Sequence, residues 1–209
     1  LVKNRNSGDV VVALMALVLF AALAFAVMQG KAAAFDTAVR NAVHASSFPA
    51  LTYAMRGITD LGEAVFLVVL GVMVAWRLVS LGRRRQAVFF AIAVLGAEVI
   101  DQALKLLFQR PRPDVFFGPQ PLNYSFPSGH ALVSCCFYLA LAEILIDDQW
   151  PRARKLAVWT LAVLLTCLIG LSRVYLGVHY PTDVLGGYAA AIAWLSIVRT
   201  GHMVRRRTV

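Results

Sequence analysis

Apolar residues run through this chain in long blocks, and its polar residues gather in short stretches where the blocks end. Val10 to Met28 is an unbroken apolar run. Others follow at Ala64 to Val79, Ala87 to Phe108 (holding Glu98, Asp101 and Lys105), Ala131 to Ile146, Leu156 to Leu171 and Val184 to Val198. A bilayer core of roughly 30 Å takes about 20 apolar residues of helix to cross. The pattern therefore predicts an all-α, polytopic membrane protein with six transmembrane helices. Ala131 to Ile146 is short for a span, and the Pro-Ser-Gly-His turn before it is expected to begin that helix and lengthen it. The first run is long for the apolar part of a signal peptide and is expected to span. No internal repeat or low-complexity linker interrupts the pattern, so residues 1–209 are expected to form a single membrane-embedded domain.

Between the first two runs, Lys31 to Glu63 is too polar to cross a bilayer. Phe35, Ala38, Val39, Ala42 and Val43 recur there at helical spacing, opposite Asp36, Arg40 and Asn41. An amphipathic helix lying in the membrane interface suits that spacing. Pro49 separates it from a second candidate helix built on Leu51, Met55 and Ile58. These two helices are expected to cap the bundle; the alternative is that they form part of a gate for lipids.

Composition agrees with the blocks. The chain is 60% hydrophobic and 15% charged, with a mean hydropathy of +0.72, which excludes an ordinary soluble domain. Its net charge of +9 could suggest a nucleic-acid partner. The basic clusters instead flank the apolar runs and repeat on one side of them, so no nucleic acid is expected. Lys3 and Arg5 precede the first span, and Arg77 and Arg83 to Arg85 follow the second. Arg152, Arg154 and Lys155 follow the fourth, while Arg199 and Arg205 to Arg207 follow the sixth. With an even number of spans, thirteen of the 20 lysines and arginines share one side. The positive-inside rule makes that side, and both termini, cytoplasmic. Cys135, Cys136 and Cys167 all fall within expected spans, show no metal-ligand spacing, and are read as buried thiols.

Three polar stretches are left on the other, periplasmic or extracellular side: Lys105 to Pro113, Pro127 to His130, and Ser172 to Asp183. Lys105 lies near the outer end of the third span, one turn after Asp101. Ionisable groups at such depth are functional candidates by default, although an i, i+4 pair with Asp101 would account for this lysine alone. It would not account for Arg112 or Arg173 on the same side. Guanidinium forks suit bidentate phosphate recognition and lysine supplies a point charge, so the three cations suggest a phosphate pocket. Ser128 is placed to cap the fourth helix, whose first-turn amides make an anion site. Gly129 lets the backbone approach a ligand closely, and His130 adds a titratable donor. Pro181 favours a helix start between His179 and Asp183, putting the carboxylate one turn from the imidazole. A carboxylate on one ring nitrogen fixes the tautomer and leaves the other nitrogen as a nucleophile. No carboxylate or histidine cluster has metal spacing, so no metal or other cofactor is expected.

The three stretches together resemble the signature of the type 2 phosphatidic acid phosphatase family. Lys105, six residues and Arg112-Pro113 match its first part, Pro127-Ser128-Gly129-His130 its second, and Ser172-Arg173, five residues, His179, three residues and Asp183 its third. The resemblance implies that His179 attacks phosphorus to form a phosphohistidine, with Asp183 orienting it. It implies that His130 protonates the leaving group and then activates water. Lys105, Arg112, Ser128, Gly129 and Arg173 would hold the non-bridging oxygens. A soluble vanadate-binding relative of the family is ruled out by the apolar runs.

The implied reaction is dephosphorylation of a membrane lipid phosphate or diphosphate at the outer face of a cell membrane. The alternatives are transfer of the phosphate to another acceptor, or a non-catalytic lipid-phosphate binder or transporter, which would not need both histidines. Short, basic inner loops point to a bacterial inner membrane. Undecaprenyl diphosphate or phosphatidylglycerophosphate then leads among the family's substrates, in cell-wall biogenesis or phospholipid metabolism. Arg110, Asn123 and Tyr124 flank the motifs and are candidates for head-group choice. Neither the choice of lipid nor the oligomeric state is legible in the sequence.

Overall fold

A computed structural model describes residues 2–205, with side chains described for residues 7–201. The side chains of Lys3, Arg5 and Arg205 to Arg207, counted in the orientation argument, lie outside the described residues. Eight α-helices follow one another: α1 Val2–Met28, α2 Ala33–Ala45, α3 Pro49–Asp60, α4 Ala64–Ser80, α5 Arg84–Phe108, α6 Gly129–Leu145, α7 Arg152–Tyr175 and α8 Pro181–Arg205. No strand occurs among the described residues.

Four of these helices are long and apolar enough to cross a bilayer: α1 from Ser7, α5, α7, and α8 as far as Gly201. The pair α3 and α4 qualifies jointly but bends by 45° at its break, giving up to five spans. Helix α6 starts at Gly129, directly after the cap residue Ser128, so the Pro-Ser-Gly-His turn does open it. It has 17 residues and falls short of a full span. Its surroundings make that tolerable. α6 packs against α5, α7 and α8, and Ala131, Leu132, Cys136, Phe137 and Ala140 are fully buried. A helix sheathed by other helices meets protein rather than lipid along its length.

The outer surface carries the reverse pattern. Met15, Val18, Val68, Val72, Trp76 and Val99 are all more than half exposed, an apolar belt too large for a soluble monomer. Cys135 and Cys136 are buried as expected, but Cys167 is exposed on α7. It faces outward from the span, where a thiol meets hydrocarbon at little cost.

Small residues bring the helices close, as is usual in membrane bundles. The indole of Trp194 on α8 lies where a Cβ on Gly96 of α5 would stand, and its Nε1 donates to Ala93 O at 3.1 Å. Phe126, wholly buried ahead of α6, sits between Phe20 of α1 and Phe108 of α5, with ring centroids 5.6 and 5.1 Å away. That cluster anchors the 109–128 segment to the bundle.

The two short helices expected between the first runs both form. In α3 the Leu51, Met55 and Ile58 face packs on Tyr175, Leu176 and Val178, as the apolar spacing predicts. Helix α2 divides its apolar stripe. Phe35, Ala38 and Ala42 are exposed and Val43 packs on the clusters of Tyr175 and Val174, while Asp36, from the opposite polar side, is completely buried. Its carboxylate finds an arginine and a helix start inside the protein, which outweighs the desolvation that favours exposing charge.

Connectivity places all three motifs at one end of the bundle. The C-terminal ends of α5 and α7 and the N-terminal ends of α6 and α8 meet there. The Arg83 to Arg85 turn and the α6–α7 connection lie at the opposite end, where Arg83 Nη2 donates to Ile144 O at 2.9 Å and Arg199 pairs with Glu143 at 2.6 Å.

Candidate active site

Helix α8 begins at Pro181, between the third motif's histidine and its aspartate. His179 closes the preceding turn and is 1% exposed, and Asp183 in the first turn of α8 is 0% exposed. His179 Nδ1 lies 3.3 Å from Asp183 Oδ2. The same oxygen accepts from Ser125 Oγ at 2.5 Å and from the Tyr180 amide at 2.8 Å. On the other side of the ring, Arg112 Nη1 is 3.1 Å from His179 Nε2. A guanidinium can only donate, so Nε2 must accept and the ring proton belongs on Nδ1, facing Asp183. The tautomer is thereby fixed from both sides, with the Nε2 lone pair aimed at a cation.

Burial pushes the His179 imidazole well down, to about 3; Arg112 and Arg173 act in the same direction, and Asp183 opposes them. The ring is therefore neutral at ordinary pH.

The three cations come from separate elements, and Arg112 is the one in contact with this nitrogen. Arg112 comes from the 109–128 segment, where Asn123 supplies two acceptors, its carbonyl to Nε at 2.8 Å and Oδ1 to Nη2 at 2.5 Å, and Val178 O accepts from Nη1 at 2.7 Å. Arg173, in the last turn of α7, donates from Nη1 to Thr59 Oγ1 at 2.7 Å, tying α7 to α3, while its buried Nε has no protein partner. Lys105 forms the i, i+4 pair with Asp101, Nζ to Oδ2 at 2.6 Å. Gly129 sits on that pair: a Cβ there would stand 2.7 Å from Asp101 Oδ2 and 2.9 Å from Lys105 Nζ. The glycine is thus required for the close approach of α6 to α5, and it brings the first-turn amides of α6 beside Lys105.

Ser128 occupies the cap position of α6 with an extended backbone, yet its hydroxyl makes no capping bond. Its Oγ is buried without a protein partner, and its amide donates to Asp183 O at 3.0 Å. His130 Nε2 comes within 2.8 Å of Glu63 Oε2, at the α3–α4 break. The approach is too oblique for a hydrogen bond, leaving that nitrogen without one. Among the described residues, no group of three or more histidine, cysteine or acidic side chains gathers in a metal-binding arrangement.

Every motif residue therefore lies at one end of the bundle. The flanking candidates fare differently. Asn123 is a support for Arg112, and Tyr124 is exposed. Arg110 points inward, its Nη1 to Asp183 Oδ1 at 2.6 Å and its Nη2 to Asp36 Oδ2 at 2.7 Å, and both bonds are to protein. Sequence reasoning missed Asp36, Glu63, Ser125 and Thr182. Only Asp36 carried a signal, as a charge one turn before Arg40 on the polar face of a short amphipathic helix.

A helical membrane bundle that gathers two histidines, an aspartate and three cations at one end defines the class: a multi-pass membrane protein with a polar site at the end of its bundle. This chain belongs to the PAP2 superfamily, whose family model matches residues 86–207. It is 31% identical to phosphatidylglycerophosphatase B of Bacillus subtilis over 183 residues, covering 86% of this chain and 89% of that protein. It is 33% identical to an undecaprenyl-diphosphatase of Sulfolobus acidocaldarius over 111 residues, 52% of this chain and 49% of that one. The crystal structure of the transmembrane PAP2-type phosphatidylglycerolphosphate phosphatase from Bacillus subtilis superposes with a TM-score of 0.83 at 29% identity, over 90% of this chain and 94% of that one.

Proposed function

We propose that this protein removes a phosphate from a membrane lipid phosphate or diphosphate through a phosphohistidine on His179. The observation that carries the reading is the Nε2 lone pair of a neutral, tautomer-fixed His179 directed at Arg112. Phosphoryl transfer is mainly positioning and charge stabilisation. In this reading a phosphate takes the acceptor's place on Arg112 and meets Arg173, Lys105, Ser128 Oγ and the Gly129 amide. Nε2 attacks phosphorus in line with the leaving oxygen, which takes a proton from His130. The P–O bond breaks as the P–N bond forms. His130 then draws a proton from water, whose oxygen displaces His179 and releases inorganic phosphate. The partnerless Ser128 hydroxyl and Arg173 Nε support this assignment, since buried donors without partners suit an anion. No step calls for a metal ion.

A cavity of about 520 Å³ runs between α4 and α5 from Gly62 and Gly129 past Leu67, Gly71 and Val94. Its apolar lining suits the tail of a lipid whose head group lies by His130. Likeness to a phosphatidylglycerophosphatase over most of the chain favours phosphatidylglycerophosphate, with undecaprenyl diphosphate next. The basic residues at the opposite end support a site on the periplasmic or outer face, with α2 and α3 in the interface.

His179→Ala is expected to abolish phosphate release from both lipids by detergent-solubilised protein, and to remove the acid-labile phosphoenzyme trapped in a rapid quench. A folded His179→Ala protein with substantial turnover would falsify the assignment. Turnover of the unsubstituted protein is expected to persist in excess chelator; loss restored by a divalent ion would reject the metal-free course.

A further inference from the structure

Asp36 is wholly buried, and the chemistry above does not use it. Its Oδ2 accepts from Arg110 Nη2 at 2.7 Å and from Thr182 Oγ1 at 2.7 Å, and its Oδ1 accepts from the Thr182 amide at 3.0 Å. That amide belongs to the first turn of α8, where helix N–H groups lack intrahelical acceptors. Arg110 completes the chain: Nη1 donates to Thr182 Oγ1 at 2.9 Å and to Asp183 Oδ1 at 2.6 Å, and its guanidinium lies 4.0 Å over the Tyr180 ring.

Asp183 therefore divides its two oxygens between two tasks. Oδ2 faces His179, Ser125 and the Tyr180 amide, and Oδ1 faces Arg110. Without Arg110 the carboxylate would be held on one oxygen only, free to turn its plane away from the imidazole. Asp36 and the Tyr180 ring in turn fix the plane of Arg110. Buried ion pairs add little stability compared with apolar packing of the same volume. Anchoring α2 does not need two carboxylates and an arginine. Asp36 also precedes the 86–207 segment matched by the family model, and Arg110 is not among the motif positions.

We propose that Asp36 and Arg110 are positioning residues for catalysis: Arg110 clamps the outer oxygen of Asp183, and Asp36 holds Arg110 in place, so the seating of α2 sets the orientation of the His179–Asp183 couple. The inference rests on the reading of His179 as nucleophile. The charged groups facing the couple are Arg112 from the 109–128 segment, Arg173 from α7, and Arg110 backed by Asp36 from α2. The Lys105–Asp101 pair of α5 and His130 with Glu63 lie next to these. Arg110 draws on the charge that Asp183 presents to the imidazole, and Asp36 tempers Arg110.

The test uses the full chain in detergent with dioctanoyl phosphatidate in mixed micelles as probe. Melting and size exclusion are checked for each variant, and kcat and KM are followed across pH. Arg110→Gln is expected to lower kcat about 10- to 100-fold, the range seen when an outer partner of a site ligand is lost, with KM little changed. Its Asp183 turns full charge on His179, favouring the imidazolium, so kcat/KM gains an acid limb that moves up in pH. Asp36→Asn, nearly isosteric, is expected to lower kcat without that limb, because Arg110 stays paired with Asp183 but loses the carboxylate that fixes its plane. Arg110→Lys recovers part of the loss. A kcat near the unsubstituted value in Asp36→Asn or Arg110→Gln overturns the proposal. So does a lowered rate in Arg110→Gln with an unmoved pH profile, the mark of an anchor alone. Full activity in His179→Ala would instead remove the proposed function, so the two failures are distinguishable.

Discussion

Arg112 rests on the very nitrogen that is proposed to attack phosphorus, and the burial of that ring sets the site's response to acid. Burial, with Arg112 and Arg173 behind it, holds the His179 imidazole at about 3 against an ordinary value of 6.5. A group lowered in this way stays unprotonated as pH falls, so its nucleophilic form is not lost until strongly acid conditions. Between about pH 5 and 8, where free histidine titrates, kcat/KM is expected to show no acid limb from His179. Stopped assays across that range check this, and a fall in kcat/KM on the acid side that moves up in pH when Arg112 is replaced would assign an acid limb to His179 and contradict it. At this scale the motif residues were legible because the reaction demands their chemistry: a nucleophile, an orienting carboxylate and fixed cations. Glu63, Ser125 and Thr182 were not. Each is an ordinary polar residue near a helix end, and only the folded chain brings it against His130, Asp183 or Asp36.

Helices were legible as far as apolar period and length could carry them. Runs facing lipid announced α1, α5, α7 and α8, and the Pro-Ser-Gly-His turn marked the start of α6. Helix α2 shows where periodicity stops short. An apolar stripe opposite a polar one fixes which residues share a face, but not which face meets protein. In a membrane protein the apolar side can face outward, and here the polar side carries the buried ion pair. Small residues were equally silent, since a glycine's role depends on what stands over it. Gly96 is such a case. Gly96→Ala would drive a Cβ into the Trp194 indole that packs α8 on α5, and overpacking of this kind costs about 1–3 kcal/mol. Thermal unfolding in detergent is expected to show the loss, and an unchanged melting temperature would mean that α5 and α8 separate without penalty.

Across the whole molecule, the described basic turns occupy one end of the bundle and the motifs the other. The charge count had anticipated that polarity from sequence, and connectivity reproduces it among the described residues. A membrane-impermeant maleimide reads which end faces out. Cys135 and Cys136 are buried, so only Cys167 needs replacing, by serine, to clear the background. Gln120→Cys, in the 109–128 segment, is expected to label in intact cells, and Arg84→Cys only after the membrane is opened. The opposite pattern would turn the site toward the cytoplasm.

The groove between α4 and α5 also decides what concentration means for this protein. Val68, Val72 and Leu95 line it and are themselves exposed on the lipid-facing surface, so the groove is open sideways. A molecule reaching His130 by that path arrives by lateral diffusion within a leaflet. The quantity that governs its capture is then its mole fraction among neighbouring lipids, and diluting the bilayer with inert lipid slows turnover even when the bulk amount of substrate is unchanged.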